Sequence, residues 1–385
     1  TQTWRSGEKH GATTERTKTF IDFAAQYGFS GVLVEGWNIG WDGDWVADGS
    51  GFSFTKSYPD FDLKEVTRYG KSKGVNLIGH HETGCSVTNY KNQMGDAFDL
   101  YKSVGVEQVK TGYVTDHDKC FRIDDNKVAR NEWHDGQFMV NEYLHSVTEA
   151  AKRQISIDTH EPIKDTGLRR TYPNWISREG ARGQEYNAPW STVSNPPEHT
   201  VMLAFTRMLS GPMDYTPGIF NLAPQGLNAE RRVKNTLAKE LALYVVLYSP
   251  VHMAADLLEN YLEKDGKTPR EGFQFIVDVA TDWEESKAIA GEVGDYVVYA
   301  RKKRNSDEWF LGAITDENTR KLAVPLNFLD ARKKYTAQIY RDGPDADWKR
   351  NPYDLVIESK TVTRKDILDV SLATSGGVAI RFFPQ

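Results

Sequence analysis

Two short strings hold residue types that can do chemistry together: Gly79-His80-His81-Glu82-Thr83 and Asp158-Thr159-His160-Glu161-Pro162. Each ends an apolar, strand-like run with a His-Glu pair. A third region, from Arg178 to Tyr186, adds Glu179 and Glu185. Carboxylates delivered at the ends of successive parallel strands are what a barrel enzyme needs to put an acid and a base around one bond. Cleavage of a glycosidic bond has that requirement: one protonated carboxyl for the leaving oxygen, another to activate water or to attack the sugar.

His80 and His160 could donate to sugar hydroxyls, or equally bond to neighbouring loops. His81 points to the other side of its strand and is the weaker candidate. Lys110 closes the run Val106 to Lys110 and is either an ion-pair partner for the glutamates or a contact to a substrate hydroxyl. Zinc is disfavoured, because the H-E-x-x-H helical spacing is missing. Glu161, Glu179 and Glu185 form an all-oxygen set of the kind Ca²⁺ takes. Ordinary ion pairing competes with that reading, since Arg169, Arg170, Arg178 and Arg182 lie in the same stretch. Asp214, in a turn-rich string, reads as a loop cap before a sugar contact.

The elements that must position these residues alternate helix and strand up to about residue 260. Thr13 or Thr14 caps a helix with Phe20, Phe23, Ala24 and Tyr27 inward, stopped by Gly28. Asp62 caps the next, with Leu63, Val66 and Tyr69 inward and Gly74 at its end. Met94, Ala97, Phe98 and Tyr101 mark a third, closed by Gly105, and Val140 to Ala151 a fourth. Strands are expected near 32, 76, 107, 156, 184, 213 and 252. Repeated β-then-α units of this size imply a parallel sheet with helices outside, most simply a (β/α)₈ barrel over residues 1–285 whose first strand is missing from the chain. The polar stretch from Thr115 to Asp135 reads as a long loop after a strand, where barrel enzymes keep substrate-shaping insertions. After residue 285 short alternating runs such as Tyr296 to Ala300 and Tyr335 to Tyr340 indicate an antiparallel β domain over 286–385.

A net charge of −6 argues against a nucleic-acid partner, which wants a basic face. No apolar run approaches 18 residues, so no membrane span is expected. Cys85 and Cys120 could pair if their loops meet, or remain two thiols. Thr1 reads as an internal start, so any targeting segment would precede it.

Taken with Val34-Glu35-Gly36-Trp37-Asn38, Val109-Lys110-Thr111-Gly112-Tyr113, Arg170-Thr171-Tyr172-Pro173-Asn174, Arg182-Gly183-Gln184-Glu185-Tyr186 and Gly211 to Gly218, the two His-Glu strings resemble glycoside hydrolase family 97 over nearly the whole chain. Within it they are most similar to the calcium-dependent, inverting α-glucosidases of bacterial starch utilisation. The resemblance implies a barrel with a C-terminal β-sandwich-like domain, with Glu185 as general acid and Glu82 and Glu161 as the bases that hold the attacking water. It further implies Glu161, Glu179 and Glu185 as calcium ligands, His80, Lys110 and His160 as sugar contacts, an oligosaccharide substrate, and a periplasmic or secreted location. Retaining α-galactosidases of the family place an Asp nucleophile where this chain has Gly112, so the glycine favours inversion. An N-terminal β domain and a first barrel strand are also implied, and an N-terminal segment of the same enzyme is the expected partner. The rival expectations are a retaining α-galactosidase and a sugar-binding module without catalysis.

Overall fold

The computed structural model describes residues 10–115, 119–188 and 193–385. The chain forms two compact units, Thr1–Ala181 and Arg182–Gln385.

In the first unit, α1 (Thr14–Tyr27) starts where the Thr13 side chain accepts from the Arg16 amide and stops at Gly28, whose φ of 77° is left-handed. Its buried face is Thr17, Ile21 and Ala24, with Phe23 and Tyr27 half-buried and packed on each other. That face is rotated from the one periodicity suggests, because aromatic rings can cover an edge while smaller residues fill the contact. Then follow β1 (Gly31–Leu33), α2 (Leu63–Ser72) capped by Asp62, β2 (Asn76–Glu82), α3 (Val87–Val104) closed by Gly105, and β3 (Gln108–Gly112). Next come the hairpin β4 (Lys119–Ile123) and β5 (Ala129–Trp133), α4 (Gln137–Ala151), β6 (Ser156–Thr159) and β7 (Trp175–Arg178). The five parallel strands lie in the order β1-β2-β3-β6-β7, with α2, α3 and α4 in the first three connections and only a short 3₁₀ turn, Leu168–Arg170, before β7. The unit is built on an apolar core that includes Val66, Phe98, Tyr101, Val109 and Ile157.

The second unit holds α5 (His199–Phe205), α6 (Leu237–Val246), α7 (Phe273–Asp278) and eight strands. These are β8 (Trp283–Glu292), β9 (Tyr296–Lys303), β10 (Trp309–Thr315), β11 (Arg320–Pro325), β12 (Tyr335–Asp342), β13 (Leu355–Val362), β14 (Ile367–Leu372) and β15 (Gly377–Pro384). Six form an antiparallel sheet in the order β13-β12-β15-β10-β9-β8, and β11 pairs with β14. All ten residues of α6 are buried. The helix passes so close to the sheet that a Cβ on Gly312 would sit 2.8 Å from the Ala242 carbonyl, so glycine is required there. The fold class is therefore a (β/α)₈-type barrel followed by an antiparallel β domain.

Three expected strands are corrected. Residues 184–187 form a 3₁₀ turn, and the segments around 213 and 252 are irregular. They touch through single bonds, Gln184 N–H to Tyr215 O at 2.9 Å and Met213 N–H to Tyr248 O at 3.0 Å, where Pro212 and Pro217 lack the donors a ladder needs. The strand that follows β6 is Trp175–Arg178, too short and polar to stand out by pattern. The expected loop from Thr115 to Asp135 contains the β4–β5 hairpin; its residues 116–118 lie outside the described residues.

Candidate active site

Strands β1, β2, β3, β6 and β7 each bring polar residues to their C-terminal ends. In a parallel sheet that is the end where loops converge and ligands bind. Parallel pairing sets His80 beside Lys110 and Glu82 beside Gly112, while Lys110 in turn faces Asp158.

Glu82 is buried, with 4 % of its surface exposed. Its Oε1 accepts from the amides of Gly84 at 2.8 Å and Val114 at 3.1 Å. Its Oε2 leans over Gly112: a Cβ built on that glycine would lie only 2.0 Å from it. Burial pushes the Glu82 carboxyl up to about 8, against the pull of its two amide donors.

Glu161 stands after β6 with a φ of 51°, left-handed for a residue with a side chain. Such backbone strain persists where surrounding structure enforces it, and active sites are frequent hosts. Three contacts enforce it here. The Tyr113 amide donates to Glu161 Oε2 at 2.7 Å, the Tyr143 hydroxyl donates to its carbonyl at 3.3 Å, and its own amide donates to Glu179 Oε2 at 3.3 Å. The successive amides of Tyr113 and Val114, just past Gly112, thus hold two different catalytic candidates, Glu161 and Glu82. The glycine leaves room between them.

His160, Glu161 and Glu179 offer ligand atoms within 4.8 Å of one another. His160 and Glu179 are buried at 3 % exposure, with Nδ1 3.6 Å from the Glu179 carboxylate. Two carboxylates converging on one point suit a divalent cation that prefers oxygen, so the residues fit calcium. Glu185, the third expected ligand, sits half-buried on the 184–187 turn of the second unit.

Glu35 was not among the candidates read from the sequence. It follows β1 as Glu82 ends β2, but a three-residue strand and the lack of a preceding His hide it; the strand-end register was the available signal. Its Oε1 accepts from Lys110 Nζ at 2.9 Å and lies 3.5 Å from His80 Nε2. Burial works to raise the Glu35 carboxyl, but the Lys110 ammonium and His80 outweigh it and hold the group well below the usual carboxylate range. The side chain keeps 31 % exposure, so water tempers the effect. Burial brings the His80 ring down to about 4, leaving it neutral near pH 7 and able to exchange a hydrogen bond with a hydroxyl. Trp41 stacks against it at 5.9 Å. His81 faces the other way, its Nδ1 3.0 Å from the Tyr90 hydroxyl and its ring against Phe54, Phe98 and Tyr101. It is a packing residue.

Arg178 is buried over the Trp175 ring at 3.4 Å, with Nη2 3.4 Å from Asp165, which also takes Arg169 at 2.7 Å. Asp165 thereby ties the loop after β6 to the end of β7. Cys85 and Cys120 form a disulfide. It links the segment three residues beyond Glu82 to β4, and the Phe121 amide donates to the Cys85 carbonyl at 2.9 Å.

Two sequence profiles match the chain: glycoside hydrolase 97 over residues 1–181, and the glycosyl-hydrolase 97 C-terminal, oligomerisation domain over residues 282–383. A retaining alpha-galactosidase of Bacteroides thetaiotaomicron is 32% identical over 380 residues, covering 96% of this chain and 51% of the relative. A probable retaining alpha-galactosidase of Streptomyces bingchenggensis is 26% identical, covering 98% and 51%. The chain thus spans about half the length of the curated relatives it matches. A glycoside hydrolase family 97 enzyme from a Pseudoalteromonas species, solved in complex with acarbose, is 62% identical with a TM-score of 0.95, covering all of this chain and 58% of that one. The same enzyme has been solved, as a variant, with panose. With strand-end glutamates in place and both profiles matched, the chain belongs to glycoside hydrolase family 97.

Proposed function

We propose that the enzyme of which this chain is part hydrolyses α-glucosidic bonds of malto- or isomalto-oligosaccharides from the non-reducing end, with inversion and with calcium. The observation that supports this best is the arrangement at Gly112. The position where a nucleophile could stand has no side chain, and Glu82 fills the space, while the adjacent amides hold Glu82 and Glu161 on either side. With the nucleophile's place taken by a second carboxylate, a pair of bases that hold a water suits the site better than a covalent glycosyl intermediate.

In this reading Glu185 gives its proton to the glycosidic oxygen as the bond from C1 breaks. Water adds to C1 from the opposite face and gives its proton to the carboxylate pair Glu82 and Glu161. The product is the β-anomer. Glu82 acts ionised, so its burial means that the acid-side limb of kcat/KM lies above the ordinary carboxylate range. Glu35, Lys110, His80 and His160 hold hydroxyls of the sugar, with Lys110 paired to Glu35. Glu161, Glu179 and Glu185 would hold calcium, which supplies positive charge for orienting carboxylates and offsetting their mutual repulsion. The disulfide favours an oxidising compartment, periplasmic or extracellular. The relative seen with panose, a glucose trisaccharide, also favours glucosides.

The curated relatives' names favour a second reading, retaining α-galactoside hydrolysis. Proton NMR of maltose and of 4-nitrophenyl α-glucoside and α-galactoside in calcium buffer separates the two. β-Glucose appearing first supports the proposal. α-Anomer release, or a preference for the galactoside, overturns it.

A further inference from the structure

We infer that Glu240 and Gln184 are positioning residues for the general acid, acting through the turn that bears Glu185; this rests on the acid role proposed above. Glu185 sits on a four-residue 3₁₀ turn, Gln184–Asn187, with no strand ladder to hold it. What holds it instead is a buried polar chain. Glu240, on α6 and without exposure, accepts at Oε2 from Gln184 Nε2 at 2.9 Å. The same oxygen takes the amides of Gly218 at 3.1 Å and Ile219 at 3.3 Å, while Oε1 takes Asn235 Nδ2 at 2.6 Å. Gln184 uses its other end to accept from Asn187 Nδ2 at 2.9 Å. Asn187 accepts from the Asn195 amide, and Asn195 Nδ2 donates to the Gly183 carbonyl, both at 2.9 Å.

Four N–H donors and no acceptor face Glu240 in these bonds; they favour the carboxylate while burial raises the group's pKa. Burying one costs stability unless it is satisfied, so such a group needs a reason. An apolar residue there would orphan all four donors, so the carboxyl organises the backbone and side chains around it. The network fixes residues 183, 184 and 187, and leaves Glu185 and Tyr186 as the half-buried members of the turn. A proton donor must meet the leaving oxygen within a few tenths of an ångström, and a fixed turn supplies that where a strand does not.

The test uses leaving groups that differ in their need for a proton. Departure of a sugar alkoxide needs protonation; fluoride leaves as the anion, with water adding at C1 as before. Steady-state kinetics of the enzyme on maltose and on α-glucosyl fluoride would compare Gln184→Met, Glu240→Gln and Glu185→Gln with wild type. The expected result for Gln184→Met and Glu240→Gln is a fall in kcat on maltose of about ten- to a hundredfold. On the fluoride the fall should stay within about threefold. A purely structural role would lower both substrates equally, or lower only the melting temperature, and either outcome overturns the inference. If Glu240→Gln does not fold, Gln184→Met decides alone. If Glu185→Gln loses both substrates alike, it is the acid assignment that fails, and the inference with it. If Glu185→Gln shows the split and the other two do not, only the inference fails.

Discussion

Glu82→Gln should make the protein more stable, and increasingly so as pH rises. The folded Glu82 carboxyl is pushed up to about 8 from an ordinary 4.5, chiefly by burial. At pH 4 both folded and unfolded chains hold the proton, and the position is neutral in each. As pH rises through 4.5 the unfolded chain releases its proton while the folded one retains it. The folded state then loses about 1.4 kcal/mol per pH unit, until its own carboxyl ionises near 8. Fully developed, the deficit is about 5 kcal/mol at most, a sizeable share of a domain's stability. A glutamine has nearly the same shape, accepts from the Gly84 and Val114 amides through its oxygen, and has no charge to lose. Urea unfolding of both proteins in chelator at pH 5, 6, 7 and 8 measures the difference. The variant's advantage should widen by several kcal/mol from pH 5 to pH 8, while hydrolysis is abolished. A constant difference across that range would refute the reasoning, because the carboxyl would then ionise alike in both states.

Four further outcomes are expected. Glu35→Gln removes the charge beside Lys110 Nζ, 2.9 Å away, and should raise KM about tenfold with a smaller change in kcat. Lys110→Met should add little to the double variant, which a double-mutant cycle on KM would check. Cys120→Ser opens a crosslink spanning 35 residues and should lower unfolding free energy by about 4 kcal/mol, read by chemical denaturation with and without reductant. Gly112→Ala sets a methyl against the flexible end of Glu82 and pushes the carboxylate aside, so kcat should fall while the melting temperature changes little, read by kinetics and thermal unfolding.

Much of the candidate site's placement was legible because a strand end is a local signal. Glu82 and Glu161 each follow an apolar run, and the caps Thr13, Asp62, Gly28 and Gly105 bound the helices that separate those runs. Glu35 was less legible because β1 has only three residues. The irregular segments near 213 and 252 have apolar residues but prolines and single bonds instead of ladders, which no period of two can distinguish. The Cys85–Cys120 pair depends on where a hairpin folds back, a contact 35 residues apart that local pattern does not encode. Glu240 was hidden for a different reason. It lies in an apolar helix, and only the donors around it explain a buried carboxyl.

The space above Gly112 also bears on how this family could diversify. A side chain at position 112 would meet the Glu82 carboxylate where it now lies, since a Cβ there falls 2.0 Å from Oε2, so Glu82 must swing aside to admit it. If the site activates water as proposed, passing to a covalent one requires the Glu82 side chain to move or shrink as the nucleophile enters. A lineage that gained the nucleophile first would crowd its base, and one that lost the base first would have neither. On that reading, crowded or base-less sites lie between the two stereochemical outcomes. Sequences on either side should pair glycine at 112 with glutamate at 82, or an acid at 112 with a smaller residue at 82, and seldom mix them.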